Sequence, residues 1–162
     1  MTEQQGLPEP TAEHRRLLEN VGNWNVECEF YWDPSAPLLT RAKERVERLG
    51  EFWTVSSFEC DIMGRTLHGS ATVGYDPAKK KWVSTWIDSF NPSLFVFEGT
   101  SDASGAVLTF SGKGPDPQSG RLTTWRSVEK RLAPDRRQFD LYMTLPDGKE
   151  MHLFQYRYTR AK

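Results

Sequence analysis

Glu44, Asp88, Glu98, Arg126 and Gln155 carry most of the chemistry this sequence offers, because each lies in a strand-like run otherwise made of apolar or small residues. Glu44 stands between Ala42 and Val46, Glu98 follows Leu94 and Val96, Arg126 lies between Thr124 and Val128, Gln155 follows Leu153, and Asp88 follows Trp86. A charge on an apolar strand face must find a partner or shift its pKa. Gathered inside one barrel, an arginine among carboxylates lowers their pKa values and orients an anionic or hydrogen-bonding head group. The same set suits acid–base chemistry, with Asp88, Glu98 or Glu44 moving a proton while Arg126 steadies developing negative charge. On a plainer reading, Asp88 caps the turn that begins at Ser89 and Arg126 makes an ion pair across the sheet. Trp82, Trp86 and Trp125 offer flat faces to an apolar ligand. Trp24 and Trp53 are expected in the core, and Trp32, beside Asp33-Pro34, at a barrel mouth.

Other chemistries find no support. No serine sits in a Gly-x-Ser-x-Gly elbow, no glycine cluster forms a phosphate or dinucleotide loop, and His14, His68 and His152 are scattered. Cys28 and Cys60 lack metal-ligand spacing and are expected as buried free thiols, with a cross-strand disulfide as the alternative. A formal net charge of −1 gives no broad field for nucleic acid or an anionic membrane. No segment reads as a signal peptide or a membrane span, so the default expectation is a cytoplasmic protein.

The elements that must position these residues follow from periodicity. The 162 residues suit one domain: a flexible N-terminus over 1–10, then a single unit over 11–162. Thr11 is an N-cap candidate, and His14, Leu17, Leu18 and Val21 form one helical stripe that ends at Gly22. From Trp24 the period becomes two, with Trp24, Val26, Cys28 and Phe30 on one face. The segment from about Leu39 to Leu49 is charged and has helical propensity, but the tight Gly50-Glu51 link to Phe52–Phe58 predicts a hairpin. Further strands are predicted over about 67–75, 81–88, 94–101, 107–111, 121–132, 137–145 and 149–159. Gly112 to Gly120 is expected as the longest flexible loop. About ten strands joined by short turns predict an all-β, up-and-down antiparallel barrel with one short N-terminal helix, since closure removes exposed sheet edges. Such a barrel encloses room for one small ligand.

At Gly22-Asn23-Trp24 the chain resembles the calycin superfamily, which includes lipocalins and fatty-acid-binding proteins. The resemblance implies that a basic residue of the last strand, Arg157 or Arg160, packs over Trp24. Leu49-Gly50-x-Phe52-Trp53, Gly74-Tyr75-Asp76-Pro77, Trp86-Ile87-Asp88-Ser89, Glu98-Gly99-Thr100, Arg126-Ser127-Val128 and Tyr158-Thr159-Arg160 are together similar to the bacterial family catalogued as domain of unknown function 1579. That resemblance implies a calycin-like barrel and no established activity. Nitrobindin-type haem proteins use a similar ten-stranded barrel, but their glycine-rich opening is replaced here by Asn25-Val26-Glu27-Cys28-Glu29.

The first expectation is therefore a binding protein that holds a small, mostly apolar ligand, with no cofactor. The candidate ligand-binding residues are Glu44, Trp86, Asp88, Glu98, Trp125, Arg126 and Gln155; the structural ones are Gly22, Trp24, Arg157 and Arg160. The alternatives are an acid–base enzyme of lyase or isomerase type, a haem-binding barrel with His152 as axial ligand, and a protein-interaction module. The last of these would use Tyr31, Tyr156 and Tyr158 as exposed aromatics, with homodimerisation through that face.

Overall fold

A computed structural model describes residues 6–162. The helix α1 (Ala12–Leu18) is followed by ten strands: β1 (Gly22–Phe30), β2 (Leu38–Leu49), β3 (Trp53–Ile62), β4 (Arg65–Asp76), β5 (Lys81–Asp88), β6 (Asn91–Ser101), β7 (Val107–Pro115), β8 (Leu122–Ala133), β9 (Arg136–Thr144) and β10 (Glu150–Arg160). Each strand pairs antiparallel with its sequence neighbour, and β1 also pairs with β10, so the sheet closes. Gly6–Pro10 form neither helix nor strand; the rest of the expected flexible N-terminus lies outside the described residues.

The helix sits across the end at which β1 begins, packed against β3 and β4. Buried His14 locks it. Thr11 N donates to His14 Nδ1 at 2.9 Å, which leaves the ring proton on Nε2, and that nitrogen donates to Tyr75 O at 2.9 Å. Leu17 packs with Trp82 and Phe110 beneath the helix.

β2 is a strand throughout, despite its helical propensity. Ala42 and Val46 turn into the core while Arg41, Lys43, Arg45 and Glu47 face water, so burial of the alternate residues overrides local preference. Trp53 departs from expectation. Its neighbours Thr54, Ser56, Phe58, Cys60 and Ile62 fill the inward face, so Trp53 points outward, 40% exposed, and lies flat on Gly74. Tyr156 and Tyr158, expected outside, point inward; Tyr158 is buried beside Trp24. The loop predicted over Gly112–Gly120 is shorter, because β7 runs on to Pro115. Buried Asp116 organises what remains, accepting from Gln118 N at 2.9 Å and Ser119 Oγ at 3.1 Å. Cys28 and Cys60 are buried free thiols.

The barrel is not uniformly stitched. β6 and β7 share only four pairs, from Glu98↔Ser111 to Ser101↔Leu108, whereas β7 and β8 are paired from Val107↔Lys130 to Pro115↔Leu122. Beyond Glu98, toward the open rim, regular pairing gives way to close packing, with the Val96 carbonyl against Gly112. The rings of Phe97 and Phe95 lie over Gly112 and Gly114, where a Cβ would come within 2.9 Å and 2.3 Å of them.

Candidate functional site

Glu44 is the sequence-predicted polar residue that the barrel places deepest in its interior. Its carboxylate Oε2 accepts from Arg137 Nη2 at 2.7 Å, and Arg137 Nη1 donates to Glu129 Oε1 at 3.0 Å. Arg137 is 7% exposed, and its guanidinium lies 4.3 Å from the Trp24 ring and 4.2 Å from that of Tyr158. Burial pushes the Glu44 carboxyl above its ordinary value and nearby Glu129 adds to the effect, while Arg137 works against both. Burial weakens the Arg137 cation, but its two carboxylates outweigh that and hold it above the ordinary guanidinium value. Ser56, Thr54 and Ser127, all buried and inward, complete a polar floor toward the helix-capped end.

Above this floor the walls are aromatic. Phe58 stacks on Tyr156 at 5.3 Å, Phe154 on Tyr156 at 4.3 Å, and Phe95 meets Trp125 edge to face at 5.3 Å. The Trp86 ring lies on Gly69 of the neighbouring strand β4, where there is no side chain to block it, and packs with both the Phe58 and the Phe95–Trp125 clusters. Trp86, Phe97, Phe139, Phe154 and Tyr156 point inward yet stay only partly buried. Desolvation holds the Tyr156 phenol well above its ordinary value. Asp88 also turns inward, near the open rim. It accepts from Trp86 Nε1 at 2.8 Å and from Phe90 N at 2.8 Å, so it serves both the indole and the turn.

The remaining candidates lie elsewhere. Glu98 is on the outer face, its side chain 52% exposed and paired with Lys79, because Phe95, Phe97 and Gly99 take the inward positions of β6. Both faces of that strand are apolar, so alternation alone could not set its phase; Leu94 and Val96 end up exposed. Arg126 is also outside, since Trp125, Ser127 and Glu129 face in. It forms a two-point pair with Glu150, Nε to Oε2 at 2.8 Å and Nη2 to Oε1 at 2.9 Å, over the Tyr142 ring. Gln155 is turned outward by a bulge between His152 and Phe154, which shifts every later residue of β10 to the opposite face.

Gln155 joins an outer-face cluster around Asp140, a residue only 4% exposed. Asp140 Oδ1 accepts from His152 Nε2 at 2.9 Å and Gln155 Nε2 at 3.0 Å, and Oδ2 accepts from Gln138 Nε2 at 2.9 Å. The His152 ring lies between Tyr31 and Tyr142. His152 is thus on the outside, and neither His14 nor His68 enters the lumen, which removes the proposed axial ligand for haem. Sequence reasoning missed Arg137, Glu129 and Asp140. A signal for Asp140 existed in the alternation Gln138, Asp140, Tyr142 against Phe139, Leu141, Met143.

The structural residues are resolved by the same geometry. Arg160, not Arg157, packs over Trp24, at 4.2 Å. It also donates to Val21 O at 2.9 Å, Glu19 O at 2.9 Å and Pro134 O at 3.1 Å, tying the helix end to the barrel. Gly22 has φ +137°, and a Cβ there would sit 2.7 Å from Arg160 Nη1. Trp24 Nε1 donates to Asn20 O at 2.9 Å. Arg157 points outward to Glu27 and Glu29.

A model of the family described as "Protein of unknown function (DUF1579)" matches residues 9–160. The chain belongs to this family. No curated protein matches it. The DUF1579 chain shares its fold with Rv2717c from M. tuberculosis, at TM-score 0.69 and 12% identity over 95% of this chain and 100% of that one. The S-type phycobiliprotein lyase CPES from Guillardia theta is also similar, at TM-score 0.61 and 14% identity over 93% of this chain and 96% of that one. Among the described residues of the DUF1579 chain, no group of three or more His, Cys, Asp or Glu is placed to hold a metal ion, and no helix is long and apolar enough to cross a membrane. A depression of about 440 Å³ lies outside the barrel over β1–β4, lined mainly by outward polar residues such as Asn25, Lys43, Arg45 and Glu59.

Proposed function

We propose that the DUF1579 chain binds one small, mostly apolar molecule in the barrel lumen, its polar end on the Glu44–Arg137–Glu129 floor and its body against Trp86, Trp125 and Tyr156. The observation that carries this reading is that inward aromatic side chains in mid-strand, Trp86, Phe97, Phe139, Phe154 and Tyr156, are only partly buried. The floor supplies both hydrogen-bond characters, since a carboxyl with a raised pKa donates when protonated and a guanidinium always donates. That a protein of this fold is a phycobiliprotein lyase supports the reading at the level of the fold alone.

The acid–base alternative is less well supported, because it placed Arg126 and Glu98 beside Glu44 and Asp88, and the first two are on the outer face. The experiment is native mass spectrometry of the protein purified from its own host, before and after denaturation. The expected result is a retained mass that denaturation releases. Protein that emerges empty, and that quenches no tryptophan fluorescence when titrated with fatty acids, tetrapyrroles and aromatic acids, overturns the reading.

A further inference from the structure

Beneath the helix, Arg16 and Asn20 face Trp82, Glu129, Arg131 and Arg137 across a pocket of about 30 Å³. About 10–15 Å³ of such space already admits a water, so the pocket has room for an occupant of water or halide size. Two of its lining residues are 2% and 7% exposed, and each has a buried N–H without a hydrogen-bond partner among the described residues: Trp82 Nε1 and Arg137 Nε. Buried donors in folded proteins are almost always satisfied, so the occupant of such a pocket is an acceptor.

Charge narrows the choice. Arg131 pairs with Glu19, and Arg137 with Glu44 and Glu129. Arg160 donates only to carbonyls, and Arg16 has no carboxylate partner among the described residues. Three of the guanidiniums, Arg16, Arg131 and Arg137, line the pocket, and Arg160 is close enough to depress Arg131. The Arg131 cation is disfavoured first by burial and then by Arg16, Arg160 and Arg137. The cluster therefore holds more cations than the carboxylates paired with it. A water accepting from Trp82 and Arg137 would satisfy the two donors but cancel none of that excess, whereas an anion does both.

We propose that this pocket is a binding site for one small monovalent anion of halide size, held by Trp82 Nε1–H and Arg137 Nε–H and neutralising the arginines under the helix. The site is separate from the lumen and stands whether or not the lumen binds a molecule. Arg137 belongs to both, its Nη atoms on the lumen floor and its Nε toward the anion.

The full chain is tested in sodium gluconate, replaced stepwise by chloride or bromide at constant ionic strength. The expected result is a thermal midpoint that rises saturably with either halide, together with an anomalous bromide peak within contact distance of Trp82 Nε1 in crystals. In Trp82→Phe, which keeps an aromatic ring but removes the donor, the apparent halide affinity falls about tenfold, as for loss of one hydrogen bond to a charged group. Equal midpoints in gluconate and halide, or bromide found only elsewhere on the molecule, overturn the proposal. The crystallographic arm uses the unaltered chain, so the proposal can fail even if Trp82→Phe does not fold.

Discussion

Arg137 is the residue on which the interior polar network turns, because two carboxylates and two aromatic rings share one guanidinium. Arg137→Ala strands Glu44 and Glu129 in a buried setting, and removing one partner of a buried pair costs roughly 3–5 kcal/mol. Urea denaturation is expected to show that loss, while Arg126→Ala, in a half-exposed pair on the outer face, costs about 1 kcal/mol or less. Glu44 gives a signed pH dependence. Its folded pKa is raised, so the folded chain binds more protons than the unfolded one, and this contribution is complete below the unfolded carboxyl value of about 4.3 and lost as pH rises through the folded value. The stability of the natural chain relative to Glu44→Gln should therefore fall from acid toward neutral pH. A gap that is flat, or that widens with pH, contradicts the assignment. Glu44 was legible in the sequence because Ala42 and Val46 fix its phase. Arg126 was misread because β8 carries polar residues on both faces, so alternation does not say which set is buried.

At the scale of elements, glycines decide where strands and rings approach. In β7, a Cβ on Gly112 would lie 2.3 Å from Val96 O and 2.9 Å from the Phe97 ring. Gly112→Ala must displace backbone as well as a ring, and overpacking of this kind typically costs about 1–3 kcal/mol. Gly120→Ala, whose Cβ would meet nothing within 4 Å but whose φ is +70°, separates conformational strain from crowding when the two denaturation midpoints are compared. Element existence was readable throughout: turn residues and period-two runs placed all ten strands and the helix, and the charged β2 resolved in favour of its hairpin. Faces were harder to read. A single bulge in β10 inverts Gln155, and β6 presents two apolar faces between which only ring size discriminates.

As a whole, the molecule is a cylinder with one end closed by a helix and held there by Arg160, His14 and the Trp24–Asn20 hydrogen bond. Closure of the sheet followed from strand count and turn length alone. The grouping of interior charges did not, because it depends on which residues of non-neighbouring strands meet across the lumen, and no local pattern encodes that. The interrupted β6–β7 ladder has a consequence for motion. A wall whose half nearest the open rim lacks regular pairing between β6 and β7, with rings of one packed on glycines of the other, has a seam there. Its edge amides between Ser93 and Phe97 should exchange with deuterium well before the core amides of β1 and β10, whatever the lumen contains. Parting of that seam at Phe95 and Phe97 would widen the open rim sideways, with the helix cap left in place.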